Sequence, residues 1–179
     1  ICLGCHVTGN TLGVPGLLMF STTRPEPTQF TGLPRHVDQS DSLSRRFGGW
    51  FVTGNTGSLQ HMGNQAAAVD GRATRELASV EGLFDADGFR TLTSDVVAHL
   101  VLTHQAGMTN LLTRAAWEAR AADPALHGTT ATPEQQASIA AVMNGVASEV
   151  VDYLLFIDEA KLTDRVRGNS GFAERFSAR

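Results

Sequence analysis

Cys2, Cys5 and His6 are the residues of this chain best placed to act together. They stand in the run Cys2-Leu3-Gly4-Cys5-His6, and Cys2 and Cys5 are the only cysteines among 179 residues. Two thiols one helical turn apart can each add to a vinyl group of the same porphyrin, and the imidazole of the next residue then reaches the iron from below. The same pair can instead cycle as a redox disulfide, or form half of a zinc site with a histidine or two. A thioredoxin-like redox pair follows a strand, and nothing around Cys2 reads as one. Zinc usually draws on a second cysteine pair, which this chain does not have. The thiols can also be small apolar core groups without chemistry. Covalent haem uses both cysteines and the adjoining histidine at once.

The five-residue motif resembles that of c-type cytochromes. A looser resemblance covers most of residues 1–179. The runs Arg46-Phe-Gly-Gly-Trp-Phe-Val-Thr-Gly54, His61-Met-Gly-Asn64 and His104-Gln-Ala-Gly-Met-Thr-Asn110 are similar to segments of larger exported bacterial proteins described as cytochrome c domain proteins. The resemblance implies one covalent haem c on Cys2 and Cys5, with His6 as proximal iron ligand. It implies electron transfer in a periplasmic or otherwise exported protein, because covalent haem is attached outside the bacterial cytoplasm. It also implies redox protein partners, or neighbouring haem subunits in a larger complex or filament, since a single haem cannot carry current far. It brings no assigned reaction. The alternative is a haem enzyme or gas-binding sensor whose sixth iron position is open or displaceable.

That sixth position decides between the two, because methionine or histidine there gives electron transfer and an open site gives binding or catalysis. Met62 lies in the loop Gly57-Ser-Leu-Gln-His-Met-Gly-Asn64, as the distal methionine does in many small c-type cytochromes. His61 is an equal claimant, and adjacent loop residues point opposite ways, so only one of them can ligate. His104 and Met108 are the second pair, four residues apart on a helical stripe with Val97, Leu100, Val101, Leu111, Leu112 and Ala115. A buried histidine needs a hydrogen-bond partner or a metal; with an open iron, His104 would be a distal acid–base group. His36 and Met19 are weaker candidates, and His99 and His127 read as solvated. Arg45, Arg46 and Trp50 can pair with haem propionates or simply pack, and Gln105, Asn110 and Arg114 can serve propionates or His104 itself.

The elements that must position these groups fall in three stretches. Residues 1–65 are punctuated by glycine and proline, so they read as irregular backbone wrapping a cofactor, with a short helix at Cys2–His6 and a short strand at Trp50–Thr53. Residues 66–92 are indeterminate, with a short helix possible from Arg75 to Phe84 and ended by Gly88. Residues 93–162 carry two long helices. The first runs from about Thr93 to Ala122, with Thr93 or Ser94 as cap and Asp95 in the first turn. The second runs from about Pro133 to Lys161, with Thr132 as N-cap and Gln135 closing a capping box. Its apolar face is Ala140, Met143, Ala147, Val150, Leu154 and Ile157, and the short joint makes the helices antiparallel neighbours. The expected fold is therefore mainly α. It is a single haem-binding domain over 1–179, with a loop-wrapped pocket of cytochrome c type and an antiparallel pair of long helices C-terminal to it.

Composition removes other classes. The net charge is −4 and Lys161 is the single lysine beside thirteen arginines, so a lysine-ringed docking face cannot form. A redox partner must meet a mixed or acidic surface. No basic stripe suggests nucleic acid. No stretch reaches the roughly 18 apolar residues of a membrane span. No Ser-His-Asp set, P-loop or His-Glu-x-x-His motif is present. The haem motif starts at the second residue and residues 169–179 end without a stop signal, so the expectation is a piece of a longer chain.

Overall fold

The structure, a computed structural model, describes residues 3–22, 34–67 and 74–178; of Leu3, Cys5, Ala67 and Thr74 it describes the backbone alone. The chain divides into two compact units, one of residues 1–18 and 105–158, the other of residues 19–104 and 159–179.

The first unit contains helix α1 (Leu3–His6), the larger part of helix α2 (Val96–Ala122) and helix α3 (Pro133–Leu154). Helix α3 starts as its sequence dictates. Thr132 accepts the N–H of Gln135, the Gln135 side chain accepts the N–H of Thr132, and Pro133 takes the first position, where no N–H is needed. It stops after Leu154, seven residues before the expected Lys161. Phe156 takes the left-handed conformation (φ 58°); its N–H reaches Tyr153 O at 3.2 Å, and the N–H of Ile157 reaches Asp152 O at 2.9 Å. Those two bonds are a Schellman stop with phenylalanine where glycine usually stands, which is why no glycine marks this end in the sequence.

Among the described residues the second unit holds six short strands in three two-stranded sheets. Strand β1 (Phe20–Thr22) pairs antiparallel with β2 (Pro34–His36), with Ser21 opposite Arg35. Strand β3 (Val52–Thr53) runs parallel to β6 (Ser94–Asp95), and β4 (Gln65–Ala67) pairs antiparallel with β5 (Thr74–Glu76). The core is Leu43, Phe47, Val52 and Val96, flanked by Leu59, Val97, Leu100 and Val166. Asp95 ends β6 and caps α2: one oxygen accepts the N–H groups of Val97 and Ala98 at 2.9 and 3.0 Å. Its other oxygen accepts the N–H groups of Asn169 and Ser170 and the Ser170 hydroxyl, at 2.7, 2.9 and 2.9 Å. The segment before the short helix α4 (Phe172–Ser177) is thereby tied to the start of α2.

This corrects the expected fold class. Helices take up only 43% of the described residues, and the stretch expected to be loops around one short strand contains β1 and β2 besides the expected β3. The residues expected to form a helix from Arg75 begin in β5 and continue as turns. The two long helices exist, but they do not form the expected antiparallel pair. Two of the six residues on the face meant to seal them are alanine, which buries little apolar area. Ala140, Ala147, Leu154 and Ile157 all stand in solvent, as do Leu112 and Trp117 on α2. The links from α2 to α3 are made by side chains: Arg114 to Glu149 at 2.9 Å, and Tyr153 over Gly107. The cap of α2 is Asp95, not Thr93 or Ser94, because only its carboxylate reaches the free N–H groups of the first turn.

Candidate functional site

In the first unit the backbone of α1 makes one turn and ends on His6, as the motif spacing requires. Cys2 lies outside the described residues, as does the side chain of Cys5. The exposed imidazole of His6 has its Nδ1 3.0 Å from the carbonyl oxygen of Gly16. A carbonyl only accepts, so Nδ1 carries the proton and Nε2 keeps a free lone pair. That is the tautomer a metal ligand needs, since ligating histidines nearly always donate their other N–H to a carbonyl or carboxylate. The bond is reciprocated, because the N–H of Gly16 donates to His6 O at 3.0 Å.

The loop between them is built to hold this pair. Thr11 is fully buried; its hydroxyl accepts the N–H of Thr8 at 2.9 Å and stands 3.3 Å from His6 O. Leu12 and Gly13 then turn the chain with φ of 60° and 75°, which only glycine adopts freely. Gly16 is required for space, since a Cβ there would run into the side chain of Asn110. Asn110 is 3% exposed on α2. Its Oδ1 accepts the N–H of Leu17 at 2.7 Å and its amide donates to Leu17 O at 2.8 Å. Met108, two residues earlier on the same helix, is half-buried and lies about 200° around the axis from Asn110.

The second unit carries His61, Met62 and His104. The loop of His61 and Met62 is fastened at three points: the N–H of Met62 donates to Arg46 O at 3.0 Å, Gly63 packs on Phe47, and the Asn64 amide donates to Val52 O at 2.9 Å. The Nδ1 of His61 accepts the N–H of Gly63 at 3.1 Å, and burial lowers its pKa against the opposing charge of Glu76. His61 is then neutral with its proton on Nε2, a donor and not a ligand in this conformation. His104 is half-buried and its Nδ1 pairs with the side-chain oxygen of Gln39. Burial lowers its pKa too, against Glu159.

Arg46 is buried, and it donates to Asp41 O at 2.8 Å and Gln39 O at 2.7 Å. Trp50 likewise spends its indole N–H on Phe20 O at 3.0 Å. Arg45 is exposed. His36 sits in β2 opposite Phe20, and Met19 is buried. His127 is exposed, with its Nε2 3.1 Å from Ala121 O.

His99 overturns its reading as a solvated residue. It is 3% exposed, and neither ring nitrogen has a hydrogen-bond partner among the described residues. Its ring stands edge-on to Phe47 at 4.8 Å and to Trp50 at 4.7 Å; Phe47 in turn meets His61 at 5.6 Å. Burial, with the nearby charge of Arg46 adding to it, pushes the pKa of His99 down to about 4. Phe47 is fully buried and left-handed (φ 70°), a costly conformation for a bulky residue. So the structure brings His61, Phe47, His99 and Trp50 into one aromatic cluster in the second unit, while His6 and Met108 belong to the first.

Comparison with family models, with curated proteins and with solved structures gives no match. Among the described residues no group of three or more His, Cys, Asp or Glu is arranged to hold a metal ion, and no helix is long and apolar enough to cross a membrane. A haem ligated by one histidine of this unit does not need such a group. The sequence pointed to His6, and to Asn110 only as a helper of propionates or of His104; it did not point to Gly16, to His99 or to the bonds of Asn110 on Leu17. The Pro15-Gly16 pair, soon after the motif, is the signal that could have singled out the Gly16 carbonyl.

Proposed function

We propose that the chain is an electron-transfer c-type cytochrome carrying one haem c, thioether-linked through Cys2 and Cys5 and ligated through His6. The observation that carries this reading is the His6–Gly16 pair. Directly after a Cys-x-x-Cys run, the imidazole is locked in the tautomer that leaves Nε2 for iron, by a bond of the kind that raises ligand basicity. Bound haem would supply reversible one-electron iron chemistry. The chain's own residues hold the imidazole proton on Nδ1, fix the ring through the Thr11 and Gly16 contacts, and keep the loop rigid through Asn110.

Met62 stays first among the residues offered for the sixth position, since a thioether needs no particular tautomer; His61, His104 and Met108 follow. The open-site alternative, a haem enzyme or gas sensor, is favoured by one observation: His61 holds its proton on Nε2. The covalent cofactor implies an exported, periplasmic protein, and the single lysine implies a redox partner that meets a mixed or acidic surface.

The test is expression in a bacterial host with intact cytochrome c maturation. The expected product has the mass of the polypeptide plus one haem and an alkaline pyridine spectrum of two thioether links. A colourless protein of bare polypeptide mass refutes the reading. Carbon monoxide then separates the two functions: slow or no uptake by the reduced protein at neutral pH supports electron transfer, and rapid uptake supports the open site.

A further inference from the structure

We infer that Asn110 is a positioning residue for the proximal imidazole, so that a side chain 104 positions along the chain from His6 tunes the iron. The inference rests on the cytochrome reading and adds to it.

The bonds concerned lie within the first unit. Asn110 is buried and uses its acceptor and a donor on the backbone of one residue, Leu17. A primary amide that closes both bonds on one residue, and so on the two peptide groups flanking it, mimics a strand partner and fixes the direction of the backbone on either side. The residue before Leu17 is Gly16, whose carbonyl receives the Nδ1 proton of His6 and whose N–H returns a bond to His6 O. The Asn110 side chain also fills the space that a Cβ on Gly16 would need. Asn110 therefore holds Gly16 from two sides, by bonding its neighbour and by steric contact. Gly16 has one task facing His6: to keep the imidazole oriented and electron-rich. Partners one step removed from a ligand commonly change metal affinity or activity by about 10–100-fold when removed, and hydrogen bonding around the axial ligand is one of the levers on haem potential.

A role in folding alone is the competing account. The two differ in what they move. Loss of the Asn110 clamp lets the Gly16 carbonyl drift. The Nδ1 bond weakens, His6 becomes a poorer donor to ferric iron, and the reduction potential rises. Loss of general packing lowers stability without touching the potential.

The experiment uses the haem-loaded full chain with three variants: Asn110→Ala, Gly16→Ala and the double variant. Leu111→Ala, a buried neighbour on the same helix, reports the effect of loosened packing. For Asn110→Ala the expected results are an upward shift in midpoint potential and faster exchange of the His6 Nδ1 proton, resolved by its paramagnetic shift. Acid release of His6 from iron is expected about tenfold more readily, which is about one pH unit for a one-proton step. Gly16→Ala moves the same readouts the same way, and it does so less in the Asn110→Ala background, where the added methyl has room. Leu111→Ala lowers the melting temperature and leaves the potential in place.

Should Asn110→Ala fail to load haem, Gly16→Ala and its pairing with Leu111→Ala decide the matter on the same readouts. A haem-bearing Asn110→Ala protein with wild-type potential and wild-type exchange of the Nδ1 proton overturns this inference and leaves the cytochrome reading intact. Equal potential shifts in Asn110→Ala and Leu111→Ala overturn it as well. A wild-type chain that takes up no haem overturns the cytochrome reading, and this inference falls with it.

Discussion

His99 should make the protein acid-sensitive in a window where few other groups act. Its imidazole sits in the core with both nitrogens lacking a hydrogen-bond partner among the described residues, and burial places its pKa at about 4 against 6.5 in a free chain. A lowered histidine pKa means that the unfolded chain binds the proton first. The stability from a neutral His99 is therefore complete above pH 6.5 and is lost as pH falls towards 4. Between pH 7.5 and 4.5 the linkage is worth about 2.5 kcal/mol. His36, His61 and His104 are shifted the same way by burial, so the wild-type slope alone does not isolate His99. The variant His99→Leu does. It removes an unsatisfied group costing about 1–3 kcal/mol and loses two edge contacts worth about 0.5–1.5 kcal/mol each. The two effects nearly cancel at pH 7.5. Urea unfolding at pH 7.5 and 4.5 should then show a smaller acid loss in the variant by about 2.5 kcal/mol. Parallel losses in the two proteins would mean that His99 is paired or charged in the fold, and the account of its burial would be wrong.

Other substitutions follow from single contacts. Burial alone would raise the pKa of Asp95, yet the N–H groups of Ser170, Ala98 and Asn169 and the Ser170 hydroxyl hold it at about 2. A lowered carboxylate pKa contributes stability above the ordinary value of 3.8 that disappears as pH falls through about 2. Asp95→Asn should thus cost about 2 kcal/mol at pH 7 and flatten the acid limb in thermal melts at pH 7, 3 and 2. Thr132→Ala removes the cap of α3 and should cost about 1 kcal/mol by chemical denaturation, with lower far-ultraviolet ellipticity. Gly107→Ala drives a methyl into the Tyr153 hydroxyl and its ring carbon Cζ and should cost about 1–3 kcal/mol by chemical denaturation, recovered only in part in the Tyr153→Phe background, which keeps Cζ. Phe156→Gly relieves a left-handed phenylalanine at the end of α3 and should gain up to about 1 kcal/mol, seen as a higher denaturant midpoint at constant slope.

What could be read without coordinates was local and chemically typed. The start of α3 is encoded in four adjacent residues, Thr132 to Gln135, whose side chains close bonds with their own backbone. The strand at Val52–Thr53 and the turn at Cys5-His6 are of the same kind. The failures are places where the deciding contact is distant or the residue type is atypical. The stop of α3 rests on Phe156 in a conformation that favours glycine. The β5 segment pairs with Gln65–Ala67, a partner invisible in its own run Thr74–Glu76. The helix pair failed for an energetic reason: its spacing was helical, but the small side chains on α3 gain too little by packing.

The stripe of α2 shows why part of the site stayed hidden. Hydropathy selects Val97, Leu100, Val101, His104 and Met108, which are only half-buried. The buried residues are Val96, His99, Thr103, Ala106 and Asn110, at the same helical spacing but turned by about one residue, 100° around the axis, together with Leu111 of the stripe itself. Three of those six are polar, so any scale that rewards apolar character rotates the helix away from them. Each needs a reason to be inside. Thr103 returns its hydroxyl to His99 O at 2.9 Å, and Asn110 clasps Leu17. Only His99 is left with bare ring nitrogens among the described residues. A helix that buries its polar side and leaves leucines such as Leu102 and Leu112 in solvent is organised by specific bonds more than by transfer of apolar area. Such a face tolerates few substitutions, because a lost partner strands a buried group at a cost of about 1–3 kcal/mol. That places the demands of function and of folding on the same residues. At Asn110 they coincide in one amide.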